Sequence, residues 1–139
     1  AYAAFLSRLR RLLNPQGFFL WAALAPKTSA QQRGLLYEGH DYASVGAAVD
    51  GVLLMTVNPG FPGQKMVPCM PEKIRNTRAY LDSHSREDVR IEVDGNVSFV
   101  HAGEMRAAGA DIFVGGTSSI FAKGTPMAEN IAKLRAAVR

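Results

Sequence analysis

Cysteine occurs once in this chain, at Cys69, so no internal disulfide can form and the fold has to rest on packing alone. A lone thiol also fits a reducing, cytoplasmic setting. No apolar stretch approaches the roughly 18 residues that a membrane span requires, so no membrane role is expected. Acidic residues are absent before Glu38, while Arg8, Arg10, Arg11, Lys27 and Arg33 fall in that stretch. A transit peptide has that composition. The apolar spacing there nevertheless reads better as an ordinary amphipathic helix. The formal net charge is +4, yet the basic residues are scattered through the predicted helices. There is no basic stripe interleaved with aromatics, and no nucleic-acid partner is expected.

What is present is an ordinary globular composition, 47% hydrophobic and 20% charged, over 139 residues. That length supports a single domain with its own core, but falls short of the about 250 residues of a complete (βα)8 barrel. Phe5, Leu6, Leu9, Leu12 and Leu13 recur at helical spacing, and Asn14-Pro15-Gln16-Gly17 ends that helix. The run "FFLWAALA" reads as a buried parallel strand, and a helical and loop region covers Thr28 to Ala48, with Thr28 or Ser29 as its cap. A second strand, "DGVLLMTV", breaks at Asn58-Pro59-Gly60. A long loop rich in Gly and Pro then leads into a helix with Pro71 in its first turn and Ile74 and Leu81 facing inward. "VRIEVDG" is strand three, followed by a helix near Phe99–Ala108 with Val100, Met105 and Ala108 inward and Gly109 as its stop. "DIFVGG" is strand four. Thr125 is placed to cap a last helix whose inward positions are Met127, Ile131, Leu134 and Val138.

Strands that alternate with helices in this way demand a parallel sheet with right-handed crossovers. The fold class is α/β, with four parallel strands. Two architectures share this pattern: half of a (βα)8 TIM barrel, or a small open sheet with helices on both faces. Periodicity does not choose between them.

In either architecture, chemistry gathers at the C-terminal ends of the strands. The β-branched run in "IEVDGNV" stops at Asp94-Gly95 and puts the Asp94 carboxylate at such an end. After strand four, Gly115 and Gly116 offer backbone N–H groups to an anion, and Thr117 and Ser118 supply hydroxyls. The same glycines also suit a tight βα turn, and on these residues alone the two readings stand level. Gly95, Gly60 and Gly63 add further points of close backbone approach on the same rim, which favours phosphate.

Taken in order, "LLMTVNPGFPGQKMVPCMPEKI", "IEVDGNV" and "AGADIFVGGTSSIF" resemble the second half of the ribulose-phosphate 3-epimerase family and its allulose-6-phosphate relatives, over about residues 52–139. The resemblance implies a (βα)8 barrel that epimerises a ketose phosphate beside its carbonyl with the help of a divalent metal (Zn, Fe, Mn or Co). It makes Asp94 one of two acid/base aspartates and a metal ligand. It places Gly60, Phe61, Pro62 and Gly63 in a lid loop, Gly95, Asn96, Gly116 and Thr117 around the phosphate, and Met55 in the pocket wall. Pro62 and Asn96 stand where the family commonly has glycine, so they bear on which sugar phosphate is taken.

Residues 1–56 resemble the middle of family 18 glycoside hydrolases of the spore-germination type, through "LAPKT" and "GHDYA…LMT". The expectation is therefore one domain over residues 1–139, with a hydrolase-like segment to residue 56 and an epimerase-like segment from residue 57, joined in register as a chimera. Epimerisation needs proton removal on one face of a carbon and delivery on the other, with an electrophile holding the enediolate charge. In the epimerases, the opposing aspartate and two metal-binding histidines belong to earlier strands, which this chain is expected to lack. His40, His84 and His101 are not at strand ends and read as surface residues; Asp50 and Asp111 precede strands and belong to the opposite rim. Glu92 reads as a polar contact within a barrel layer.

Four strands leave two open edges, so a homodimer or higher oligomer is expected. Three functions follow. The first is a phosphosugar-binding half of an epimerase, inactive alone. The second is a recombined, non-catalytic barrel fragment serving as a folding or assembly scaffold. The third, glycoside hydrolysis, lacks its pair of carboxylates at one site.

Overall fold

A computed structural model of the chain describes residues 21–24, 50–58 and 60–139. The helix expected near the start, the helical region over residues 28–48 and His40 lie outside the described residues.

Four strands form one sheet: β1 (Trp21–Leu24), β2 (Gly51–Met55), β3 (Arg90–Asp94) and β4 (Ile112–Phe113). Their spatial order is β1-β2-β3-β4, and every neighbouring pair is parallel. Among the described residues three helices follow β2, β3 and β4 in turn: α1 (Met70–Ser83), α2 (Phe99–Ala107) and α3 (Met127–Ala137). The α/β alternation expected from the sequence is the observed architecture, although β4 is shorter than "DIFVGG" implied.

Residues on one sheet face settle how the helices are arranged. Val52, Leu54, Ile91 and Val93 alternate to the same side and are buried in one cluster with Met70, Ile74 and Leu81 of α1 and Ala102 and Met105 of α2. Leu134, Ala137 and Val138, from α3 and the residue after it, pack against that cluster. All three described helices thus cover a single face. A doubly wound sheet would spread them over both, so this is the layout of a barrel segment. The opposite face carries Leu53, Met55, Glu92, Asp94 and Ile112, each only half-buried. Register puts Leu53, Glu92 and Ile112 side by side there. Complete burial of a side chain such as Leu54 or Ile91 contributes about 1.5–3 kcal/mol, so the helical face holds the fold together.

Local chemistry explains the helices. Pro71 occupies the first turn of α1 with Glu72 beside the positive end of the helix dipole, and Met70, Ile74, Thr77 and Leu81 form its buried stripe. Ser98 caps α2, its Oγ accepting from the His101 amide at 3.2 Å.

Two expected inward faces are corrected. Val100 is 71% exposed, because it lies five positions before Met105 and so sits well round the helix from the Ala102–Met105 stripe. Met127 is 56% exposed at the free first turn of α3. That helix is capped by Pro126 rather than by the Thr125 side chain. Asn130, buried one turn in, points its amide at the carbonyls of Ile120, Ala122 and Thr125 at 3.3–3.4 Å, tying the preceding loop to α3.

At the N-terminal rim of the sheet, Asp111 Oδ2 accepts the Ile91 amide at 2.9 Å and faces Arg78 Nη1 at 3.6 Å. Arg78 also donates to the Val89 carbonyl at 2.9 Å. Asp111 is therefore structural, as its position before β4 implied. His84 is exposed and stacks on Tyr80 with ring centroids 4.2 Å apart.

Candidate functional site

The site begins where β2 and β3 end. Their register sets Met55 beside Asp94 on the face that the described helices leave uncovered. Just beyond, the buried Thr56 joins the two strand ends: its amide donates to the Asp94 carbonyl at 2.7 Å and its hydroxyl to the same carbonyl at 3.0 Å. That hydroxyl also contacts the Gly95 carbonyl. Asp94 leaves this clamp half-buried, with its carboxylate free of any role in holding the strands.

Gly95 follows with φ +116°, and a Cβ built on it would lie 2.6 Å from Val57 Cγ2 and 2.9 Å from the Val57 amide nitrogen. Only glycine fits such an approach. Asn96 takes the left-handed region as well, at φ +47°, a conformation that asparagine tolerates better than most residues. Its side chain is engaged on both sides. Nδ2 donates to the Gln64 carbonyl at 3.0 Å, and Oδ1 lies 2.7 Å from His101 Nδ1.

Gln64 organises the loop after β2. Its Nε2 donates to the Asn58 carbonyl at 2.5 Å and to the Phe61 carbonyl at 2.8 Å, so the loop folds back on itself. Phe61 is left 68% exposed at the tip. After β4, the Gly116 carbonyl accepts the amides of Ser119 and Phe121, each at 3.1 Å. The amides of Thr117 and Ser118, at the start of that turn, have no acceptor within it, which is the arrangement of a helix N-terminus and suits an anion. Gly116 has open space where a Cβ would stand, so its backbone can be approached closely.

These loops enclose a cavity of about 330 Å³. Its walls include eleven of the twelve residues that the sequence marks for the site: Met55, Gly60, Phe61, Pro62, Gly63, Asp94, Gly95, Asn96, Gly116, Thr117 and Ser118. Gly115 is outside the lining, packed close to Ile120 and Leu134. The sequence reading did not single out Val57, Asn58, Gln64, Val97 or Val114 for the site, and they too are in the described wall. The volume suits a small polar metabolite. Asp94 is the one ionisable side chain in the described lining, where main-chain amides and hydroxyls are the groups that could hold an anion.

A divalent metal needs several ligands at once, and among the described residues no group of three His, Cys, Asp or Glu side chains comes together. Asp94 supplies one carboxylate, which does not by itself hold such an ion. Among the described helices none is long and apolar enough to cross a membrane.

Parallel strands backed by helices on one face, with glycine-bearing loops around a polar cavity at the strands' C-terminal ends, define an α/β barrel segment. Residues 37–121 match the ribulose-phosphate 3 epimerase family, and the chain belongs to that family. The match begins at residue 37, ahead of residue 57, where the sequence reading expected the epimerase-like segment to start. Ribulose-phosphate 3-epimerase of Escherichia coli K12 is 51% identical over 73 residues, covering 52% of this chain and 32% of that protein. The Rhodobacter capsulatus enzyme of the same name is 46% identical over 95 residues, 65% of this chain and 40% of the relative. The Bacillus subtilis one is 34% identical over 113 residues, 81% and 48% respectively. The chain thus spans between about a third and a half of the length of these curated relatives.

Proposed function

We propose that this chain is the phosphosugar-binding part of a ketose-phosphate 3-epimerase and contributes one of its two acid/base groups, Asp94. The observation that carries this reading is the convergence of Asp94 and three glycine-bearing loops on one cavity. The substrate phosphate would rest on the amides of Gly116, Thr117 and Ser118, with Gly95 and Asn96 closing that side and Met55 against the sugar carbons. The loop from Gly60 to Gly63 would cover the substrate and exclude water. Asp94 would take the proton from, or return it to, the carbon beside the ketose carbonyl.

Inversion needs a second acid or base on the opposite face of that carbon. The described lining supplies none, so the second group, and the further ligands of any metal bound through Asp94, must come from outside the described residues. The sheet face of Leu53, Met55, Glu92 and Ile112, which the described helices do not cover, supports pairing with a complementary set of strands, in a second copy or in another barrel segment. The free thiol of Cys69 fits a cytoplasmic setting.

That the described lining holds a single acid also favours a second reading, a non-catalytic barrel fragment that serves as a folding or assembly scaffold. One experiment separates the two. Thermal melts are recorded with and without ribulose 5-phosphate for the parent chain, Gly116→Val and Asp94→Asn. A binding site at a hundredfold excess of ligand over Kd adds about 2.7 kcal/mol of stability, and Gly116→Val should abolish that gain. Asp94→Asn should retain it while failing to support epimerisation on complementation. No shift in the parent chain favours the scaffold.

A further inference from the structure

His101 does not line the cavity, yet it sits at the far end of a chain of hydrogen bonds that reaches the cavity's covering loop. Its Nδ1 faces two oxygens, Asn96 Oδ1 at 2.7 Å and the Asn96 carbonyl at 3.2 Å. The orientation of the Asn96 amide follows from its other side, where Nδ2 has to donate to the Gln64 carbonyl. With acceptors only in front of it, Nδ1 must carry the ring proton. From Gln64 the chain continues through Nε2 to the carbonyls of Asn58 and Phe61.

Three features make this more than local packing. His101 is fixed at its own end, because its amide caps onto Ser98 Oγ and its ring rises from the first turn of α2. Asn96 holds a positive φ that glycine would supply more cheaply, so the side chain at this position has a use other than shaping the backbone. The acceptor on the loop is a main-chain carbonyl, so the bond fixes the path of the loop rather than one rotamer.

We propose that His101 is a positioning residue: through Asn96 it latches the loop from Gly60 to Gln64 over the cavity, and so sets how readily that loop admits and retains substrate. This rests on the reading of the loop as the substrate's cover. Helix α2, which belongs to the packed core, becomes the anchor for the most exposed segment of the site. An Asn at position 96 engages the loop where a glycine leaves it free.

The test is amide hydrogen exchange of the full chain, read on peptides covering residues 58–66 and, as a control, α3. His101→Leu keeps the bulk of the ring and removes the donor. His101→Asn places an amide Nδ2 where Nδ1 stood, since both are attached to Cγ, and so keeps the donor. Asn96→Gly keeps the backbone conformation and removes both side-chain bonds. Loop exchange should rise about three- to tenfold in His101→Leu and Asn96→Gly, the change that loss of one hydrogen bond carries, and stay near the parent rate in His101→Asn, with α3 unaltered throughout. Unchanged loop exchange in His101→Leu, or an equal rise in His101→Asn, would overturn the latch. Ribulose 5-phosphate should slow loop exchange in the parent chain and do so less in His101→Leu. If it slows nothing in the parent chain, the substrate reading fails while the latch, measured without ligand, stands.

Discussion

Thr56 donates its hydroxyl to the main-chain carbonyl of Asp94 across 3.0 Å, joining residues 38 apart in the chain. The threonine is completely buried, and the same hydroxyl reaches the carbonyl of Gly95. Replacing Thr56 by the isosteric valine keeps the packing, leaves the Asp94 carbonyl with the Thr56 amide alone and strands the Gly95 carbonyl. Thr56→Val should cost about 1–3 kcal/mol in chemical denaturation. A variant as stable as the parent would show that the hydroxyl clamps nothing.

Gly95 and Gly116 both line the cavity, but a methyl group meets opposite surroundings at the two. At Gly95 it would press into Val57 on a positive-φ backbone, so Gly95→Ala should lose about 1–3 kcal/mol or more from backbone strain alone. At Gly116 it meets open space, so Gly116→Ala should leave the melting temperature of the free chain within about a degree or raise it slightly. Melting temperatures of the two variants, measured side by side, check both statements.

Asp111 works at the other end of the sheet. Its carboxylate holds the Ile91 amide at the start of β3 and faces Arg78 and Arg106 at 3.6 and 3.9 Å. Asp111→Ala should destabilise the chain by about 1–3 kcal/mol, because a buried strand amide loses its acceptor. Any stabilisation by ribulose 5-phosphate should persist, since the cavity lies at the opposite rim. Loss of that response together with stability would contradict the division of labour between the two ends.

Lys73 carries a pH signature. Burial lowers its pKa from the ordinary 10.5, partly opposed by the neighbouring Cys69. At neutral pH the ammonium is charged in folded and unfolded chains alike, so the folded state bears the whole desolvation penalty. Between the lowered folded value and 10.5, the unfolded chain holds a proton that the folded chain has shed, and stability contributed by this group rises with pH. Lys73→Met should therefore be more stable than the parent at pH 7, with the gap narrowing as pH climbs towards 10.5. Urea titrations at several alkaline pH values measure this, and a gap that widens would refute it.

Asp94, Gly95 and the glycine loops were legible in the sequence because each is announced locally. A β-branched run that stops at an acid marks a strand end, and glycine marks a backbone that comes close to something. Thr56, Gln64 and His101 escaped for the converse reason. Their partners are 38, 32 and 5 residues away, and which carbonyl each meets depends on register and loop path, not on composition. His101 read as a surface residue and proves half-buried against Asn96. Val100 and Met127 show a second limit: apolar character at nearly helical spacing does not say which side of a helix a neighbour will cover. The choice between a barrel segment and an open two-sided sheet rested on that same missing information.

Each strand in this sheet neighbours the strand that precedes it in the chain. The template for a new strand is therefore always finished before the strand itself is made, and none has to be held open for a distant partner. Synthesis from one end can lay the units down like courses of brick, each tested against one predecessor only. An error of register in one course is then exposed at the next, which is a reason for such a layout to tolerate being cut, extended or recombined between courses.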